Sequence, residues 1–267
     1  MRKLFLAAFS LALMASPALW AQTEVSVGTT SGADVEILEK ARDVAAKEGL
    51  AVKIVEFSDY RQVNDALASK ELDLNAFQHQ PYLDDYNKEN GTSLISVGST
   101  YVSPLGFFSK KIKKLEELKE GDTVSIPNDP TNGGRALLLL EKAGVIKLKE
   151  GTGLTPTPFD VAENPKNLKI LEVDAAQTAR TLDDVAAAAI NNTFSIPAGL
   201  NPLKDSIYLE SVDSPYVNVI VCRSEDRNNP VFLKFVKAYQ SQAVADFIYE
   251  KFEHSTIPAF PHQRKEK

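Results

Sequence analysis

Short apolar runs alternate with amphipathic segments along most of the chain, and this alternation constrains the fold more than any other feature. Residues 25–28, 52–57 and 72–77 read as strands. Between them, 35–48 places Ile37, Leu38, Ala41, Val44 and Ala45 on one helical face, and 63–69 and 82–90 read as further helices. A strand at 94–97 follows. Such alternation predicts an α/β fold with a largely parallel sheet covered by helices.

Near Tyr101 the pattern changes to an extended run, residues 100–109, broken by Pro104 and Gly106. A second α/β series then covers 124–126, a leucine-rich helix, 168–173, 181–187, 188–191 and a helix near Phe194. A second extended run at 214–221 precedes amphipathic helices at 231–239 and 243–252. Read as crossovers, the two extended runs divide the chain into two lobes. Lobe 1 takes 22–104 and 216–267, lobe 2 takes 105–215, and a small ligand is expected in the cleft between them.

The stretch 124–140 carries the most chemistry. An apolar strand, 124–126, runs into Asn128-Asp129-Pro130-Thr131-Asn132-Gly133-Gly134, a turn-forming sequence. Thr131 or Asn132 is placed to cap a helix through 137–140 that stops near Gly144. A strand, turn and helix in this order aim free backbone N–H groups and the positive helix end at one spot, which suits an anion. Arg135, expected in the first turn, adds a guanidinium able to grip a carboxylate at two points. A capped surface helix with a solvated arginine fits the same residues.

The start of the chain reads as an address. Arg2 and Lys3 precede an apolar run, 4–13, and small residues up to Ala21, the pattern of a secretory signal peptide over 1–21. No cysteine lies near the expected cleavage site, so this reading makes the protein an exported, soluble one without a lipid anchor. Of 267 residues, 43% are hydrophobic and 25% charged, which suffices for a globular core. Losing Arg2 and Lys3 takes the formal charge from −6 to −8, against nucleic acid as a partner. The single cysteine, Cys222, excludes an internal disulfide and reads as a buried strand residue.

Four segments carry a resemblance. They are Asp73-Leu74-Asn75-Ala76-Phe77-Gln78-His79-Gln80-Pro81-Tyr82-Leu83; Pro127-Asn128-Asp129-Pro130-Thr131-Asn132 with Arg135; Glu163-Asn164-Pro165-Lys166-Asn167-Leu168-Lys169-Ile170; and Ser214-Pro215-Tyr216-Val217-Asn218. Together they resemble the methionine-binding lipoprotein family of ABC importers, over essentially the whole mature chain. The resemblance implies a two-lobed type II periplasmic binding protein that closes on a free amino acid, usually L-methionine. It implies delivery to an inner-membrane permease and ATPase, and no cofactor. D-methionine, methionine sulfoxide and methionine dipeptides present similar ends to such a cleft.

The resemblance also implies site residues. Arg135 matches the arginine that holds the ligand carboxylate, with Asn132 beside it. Asn191 and Asn218 match asparagines at the α-amino and carboxylate groups, and the doubled Asn191-Asn192 allows either to face the cleft. Phe77, His79 and Tyr82 match the wall around the side chain, with Tyr60 and Tyr101 as further members. The set is coherent: a zwitterion needs one cation for its carboxylate and oxygen acceptors for its ammonium, and a thioether suits aromatic walls. By spacing alone, Phe77 and Tyr82 fit a core and His79 a structural histidine equally well.

The competing class is an amino-acid-processing enzyme on the same fold. His79, His254 and His262 lack metal-ligand spacing, and neither a nucleophile elbow nor a phosphate loop is present. A surface adhesin would need an exposed apolar patch that a sequence does not display.

Overall fold

The computed structural model describes residues 23–263; the expected signal peptide, 1–21, lies outside the described residues. The chain opens with β1 (Thr23–Thr30), β2 (Leu50–Phe57), β3 (Leu74–His79) and β4 (Leu94–Val102), separated by α1 (Ala33–Lys47), α2 (Tyr60–Ala68) and α3 (Gln80–Asn90). Next come β5 (Gly106–Phe108), β6 (Thr123–Pro127), α4 (Pro130–Lys142) and a ribbon of β7 (Lys147–Leu148) with β8 (Val161–Glu163). After β9 (Lys169–Val173) come a 3-10 segment (Ala175–Asp183), β10 (Ala187–Ile190), α5 (Asn192–Ser195), α6 (Pro202–Asp205) and β11 (Ser206–Leu209). The chain ends with β12 (Val217–Arg223), α7 (Pro230–Tyr239), α8 (Gln242–Phe252) and β13 (Ile257–Pro258).

The strands form two sheets, in the orders β13-β4-β12-β3-β1-β2 and β11-β5-β10-β6-β9. Both are mixed, most strands running one way with antiparallel strands among them, which narrows the expectation of a largely parallel sheet. β1 pairs parallel with β2 and β3, but β12 is antiparallel to both β3 and β4, as β13 is to β4. In the second sheet β6 is parallel to β9 and β10, whereas β5 is antiparallel to β10 and β11. The reason is where the chain changes sheets. β5 and β12 each start on arrival from the other sheet, at the edge where the parallel strands end. Gly106 therefore faces Ile190, and Asn218 faces His79.

Each sheet is covered on both faces. In α1, Ile37, Leu38, Ala41 and Ala45 form the buried stripe and pack with Val25, Val27 and residues of α7 and α8. The opposite face carries α2 and α3 through Val63, Leu67, Leu83 and Tyr86. In the second sheet, Leu137 and Leu140 of α4 pack on Val124 and Ile126, while Leu182 and Val185 pack on Phe108, Ala188 and Ile190 from the other side. Residues 181–183 belong to the 3-10 segment, and only 187–190 form a strand. Cys222 is wholly buried in β12, where burial raises its thiol to about 11.

The carboxyl ends of β3, β6 and β10 and the starts of β5 and β12 converge between the sheets. Open α/β sheets bind ligands at such strand ends.

Candidate functional site

β3 is buried along its whole length and ends on His79. Amides hold it in place: Asn64 of α2 donates to Gln78 Oε1 at 2.8 Å, and Asn75 donates to Asn64 Oδ1 at 2.9 Å. His79 then caps α3, its Nδ1 accepting from the Tyr82 N–H at 3.1 Å. That bond puts the ring proton on Nε2, which donates to Asn132 Oδ1 at 3.2 Å. Burial, and then the nearby Arg135 charge, push the His79 pKa down to about 3, so the ring is neutral.

Asn132 and Arg135 are carried by α4. The cap differs from the expectation. Asp129, not Thr131 or Asn132, accepts from the Asn132 N–H at 2.8 Å, and Pro130 takes the first helical position, where a missing N–H costs nothing. Arg135 thus lies in the second turn, not the first. A Cβ on Gly133 would meet the Pro127 carbonyl at 2.6 Å, and one on Gly134 would meet Leu154 and Thr155 backbone at 2.8 Å. Both glycines are there because backbone passes too close for a side chain.

Arg135 is almost fully buried and already holds a carboxylate. Its Nε donates to both oxygens of Glu210 at 3.1 Å, Nη2 donates to Glu210 Oε2 and, at 2.9 Å, to the Ser103 carbonyl. The guanidinium lies 4.3 Å from the centre of the Tyr216 ring. Nη1 makes no hydrogen bond among the described residues. Nearby, Asn191 Nδ2 donates to Asn132 Oδ1 at 2.8 Å, while Asn191 Oδ1 is buried with no partner among the described residues. A buried acceptor left this way is costly unless something polar reaches it.

Eight of the nine residues expected at the site line one cavity of about 30 Å³: Tyr60, Phe77, His79, Tyr82, Asn132, Arg135, Asn191 and Asn218. That volume fits roughly two water molecules, so an amino acid enters only as the walls move apart. Both residues of the Asn191-Asn192 pair reach the cavity, but Asn192 turns its Nδ2 to the Ser255 carbonyl at 2.9 Å. Tyr60, Phe77 and Tyr82 form a cluster with ring centres 5.7–6.0 Å apart, and Phe194 joins Tyr60 at 5.1 Å. Tyr60 and Tyr82 also border a wider groove of about 450 Å³ with acidic walls, including Asp59, Asp85, Glu89 and Asp129.

Tyr101 is the residue the structure does not bring there. It packs in the core of the first sheet, and its hydroxyl donates to the buried Asp34. The sequence reading missed Gln78, Ser103, Thr193, Phe194 and Glu210. Tyr216 sat in a quoted segment without a role. For Glu210, a single acid directly after the apolar run Ile207-Tyr208-Leu209, the sequence offers no signal.

The profile of the NlpA lipoprotein family matches residues 25–260. The chain belongs to the NlpA lipoprotein family. It is 50% identical over 236 residues to the D-methionine-binding lipoprotein MetQ of Salmonella typhimurium, covering 87% of each chain. It is 47% identical to outer membrane lipoprotein 3 of Mannheimia haemolytica, over 88% of this chain and 89% of that one. Among solved structures it resembles a nutrient binding protein from Burkholderia cenocepacia bound to methionine. The TM-score is 0.87 with 51% identity, over 88% of this chain and 100% of that one. The two-lobed binding-protein fold expected from the sequence is the fold of these NlpA-family neighbours.

These findings correct one expectation. A soluble protein without a lipid anchor was expected from the missing cysteine, yet the family and the relatives are lipoproteins by name, which supports a lipid-anchored protein. The one cysteine of the sequence, Cys222, is buried in β12. Among the described residues no helix is long and apolar enough to cross a membrane.

Proposed function

We propose that this chain is the binding protein of an ABC importer that captures free methionine and passes it to a membrane permease with its ATPase. In this reading the free Nη1 edge of Arg135 takes the ligand carboxylate. Asn191 Oδ1 and Asn218 serve the ligand's polar groups, with Asn191 accepting from the ammonium. Phe77, Tyr82, Tyr60 and His79 enclose the thioether. The observation that carries the reading is one cavity holding a guanidinium edge, an unpartnered buried carbonyl and an aromatic cluster. A zwitterion with an apolar tail satisfies all three. The methionine-binding names of the relatives support the same ligand.

The reading divides the chain into lobes 22–104 with 216–267, and 105–215, which part to admit the ligand. The chain crosses between sheets after Val102 and after Leu209, which supports that division. Binding without chemistry fits the cavity better than catalysis, since its histidine is held neutral with both ring nitrogens engaged.

Calorimetric titration with L-methionine, D-methionine, methionine sulfoxide and a methionine dipeptide tests the proposal. A free methionine enantiomer is expected to bind tightest, with full recovery of unaltered ligand. Absence of binding to all four, or conversion of any, would refute it.

A further inference from the structure

Among the described residues Arg135 is the one charged side chain lining the cavity, and its charge is already matched. Glu210, just after β11, accepts from Nε and Nη2 on one edge of the guanidinium. Its carboxylate also accepts from the Leu105 N–H at 3.1 Å and the Ser214 hydroxyl at 3.3 Å. The ion pair is largely shielded from solvent, with side-chain exposures of 3% and 12%. Glu210 is thus fixed by both stretches of chain that connect the sheets, and it fixes Arg135 in turn.

Two consequences follow. The guanidinium turns a single edge to the ligand, so its grip on a carboxylate is narrower than the full fork allows. The pair also sums to zero charge, and His79 adds none. A zwitterion keeps the enclosed space neutral, whereas a carboxylate without an ammonium leaves one negative charge unmatched where water is scarce.

We propose that Glu210 is a positioning residue that sets specificity through Arg135, confining the site to ligands of zero net charge. This rests on the reading of Arg135 as the carboxylate anchor. The alternative is that Glu210 only staples the two connections together, in which case it affects all ligands alike.

The probes are L-methionine and its des-amino analogue, methylthiobutanoate, titrated into the parent and into Glu210→Gln, Glu210→Asp and Arg135→Lys proteins. The parent should favour methionine, and Glu210→Gln should narrow that ratio about tenfold or more, because the bared guanidinium now balances an anion. Glu210→Asp keeps the charge and should hold the ratio within about threefold of the parent, though both ligands bind more weakly. A folded Glu210→Gln protein with an unchanged ratio overturns the proposal. Should that variant fail to fold, Glu210→Ser, which also removes the charge, decides: a ratio narrowed about tenfold supports the proposal, and an unchanged ratio overturns it. Arg135→Lys separates the two levels. If it binds methionine like the parent, the anchor reading falls and the proposal with it. If methionine binding is weakened there while Glu210→Gln leaves the ratio alone, the Glu210 proposal alone falls.

Discussion

Nε2 of His79, at the end of β3, donates to Oδ1 of Asn132 in the first turn of α4, 3.2 Å away, joining the two sheets across the cavity. Both ring nitrogens are engaged and the ring is kept neutral, its pKa near 3. A folded-state pKa below the ordinary 6.5 gives stability that is present above pH 6.5 and lost as pH falls toward 3. His79→Asn keeps a helix cap and a side-chain amide but no titrating ring. Methionine affinity measured by calorimetry from pH 5 to 8 should follow parallel curves for parent and variant. Curves that diverge near pH 6 would mean that the parent ring protonates on binding.

Arg135→Ala should remove the carboxylate anchor and strand Glu210. Truncating one partner of a desolvated charge pair costs about 2–5 kcal/mol, roughly 30-fold to several thousand-fold in methionine affinity. Melting temperature should fall too, since a buried carboxylate loses its cation. Arg135→Lys should recover part of both losses, because a point charge cannot supply three separate N–H directions. Binding within threefold of the parent in a folded Arg135→Ala protein contradicts the assignment.

Phe77 is 4% exposed and packs against Tyr60 and Tyr82. Phe77→Ala opens space around the thioether without touching the Arg135 pair. Truncating a buried Phe costs about 3–5 kcal/mol of stability, so the melting temperature drops. The preference for methionine over alanine should shrink about tenfold, on the scale of one or two buried methylenes. Titration of the folded variant with both amino acids checks this, and equal losses for both would place Phe77 outside the side-chain pocket.

Asp34 lies at the start of α1, fully enclosed, accepting from Thr30, from Tyr101 and from Thr193 of α5 at 3.1 Å. Burial raises its pKa from 3.8 to about 7, against a smaller opposing pull from the two threonine hydroxyls. A raised folded-state pKa means stability fully present below pH 3.8 and lost as pH rises through 7. Asp34→Asn removes that loss. Chemical denaturation should show the variant gaining on the parent between pH 4 and 8, by an amount on the order of 4 kcal/mol at the top of the range. A constant difference across that range would show that Asp34 stays charged in the folded protein.

The sequence by itself determined the elements and the class of fold. Residues 35–48 repeat their apolar positions at helical spacing, and β1 to β3 are short apolar runs closed by turn residues. Those are interactions within one or two turns of chain, so a local pattern carries them. The residues of the cavity were legible only through the resemblance that the four segments carry, where most of them fall; by spacing alone Phe77 and Tyr82 fitted a core and His79 a structural histidine equally well.

Tertiary structure decided the rest. The direction of β12 depends on which end of the first sheet the returning chain meets, and nothing inside 217–223 encodes that. Tyr101 lies in the extended run that leads to the first crossover, but the register of β4 aims it at Asp34, 67 positions earlier. Arg135 and Glu210 are 75 residues apart and meet only when α4 and the segment after β11 are folded onto one another. Whether a buried charge is free for a ligand or already matched depends on such distant partners. Composition and spacing constrain neighbours in sequence, whereas desolvation and charge pairing act between neighbours in space.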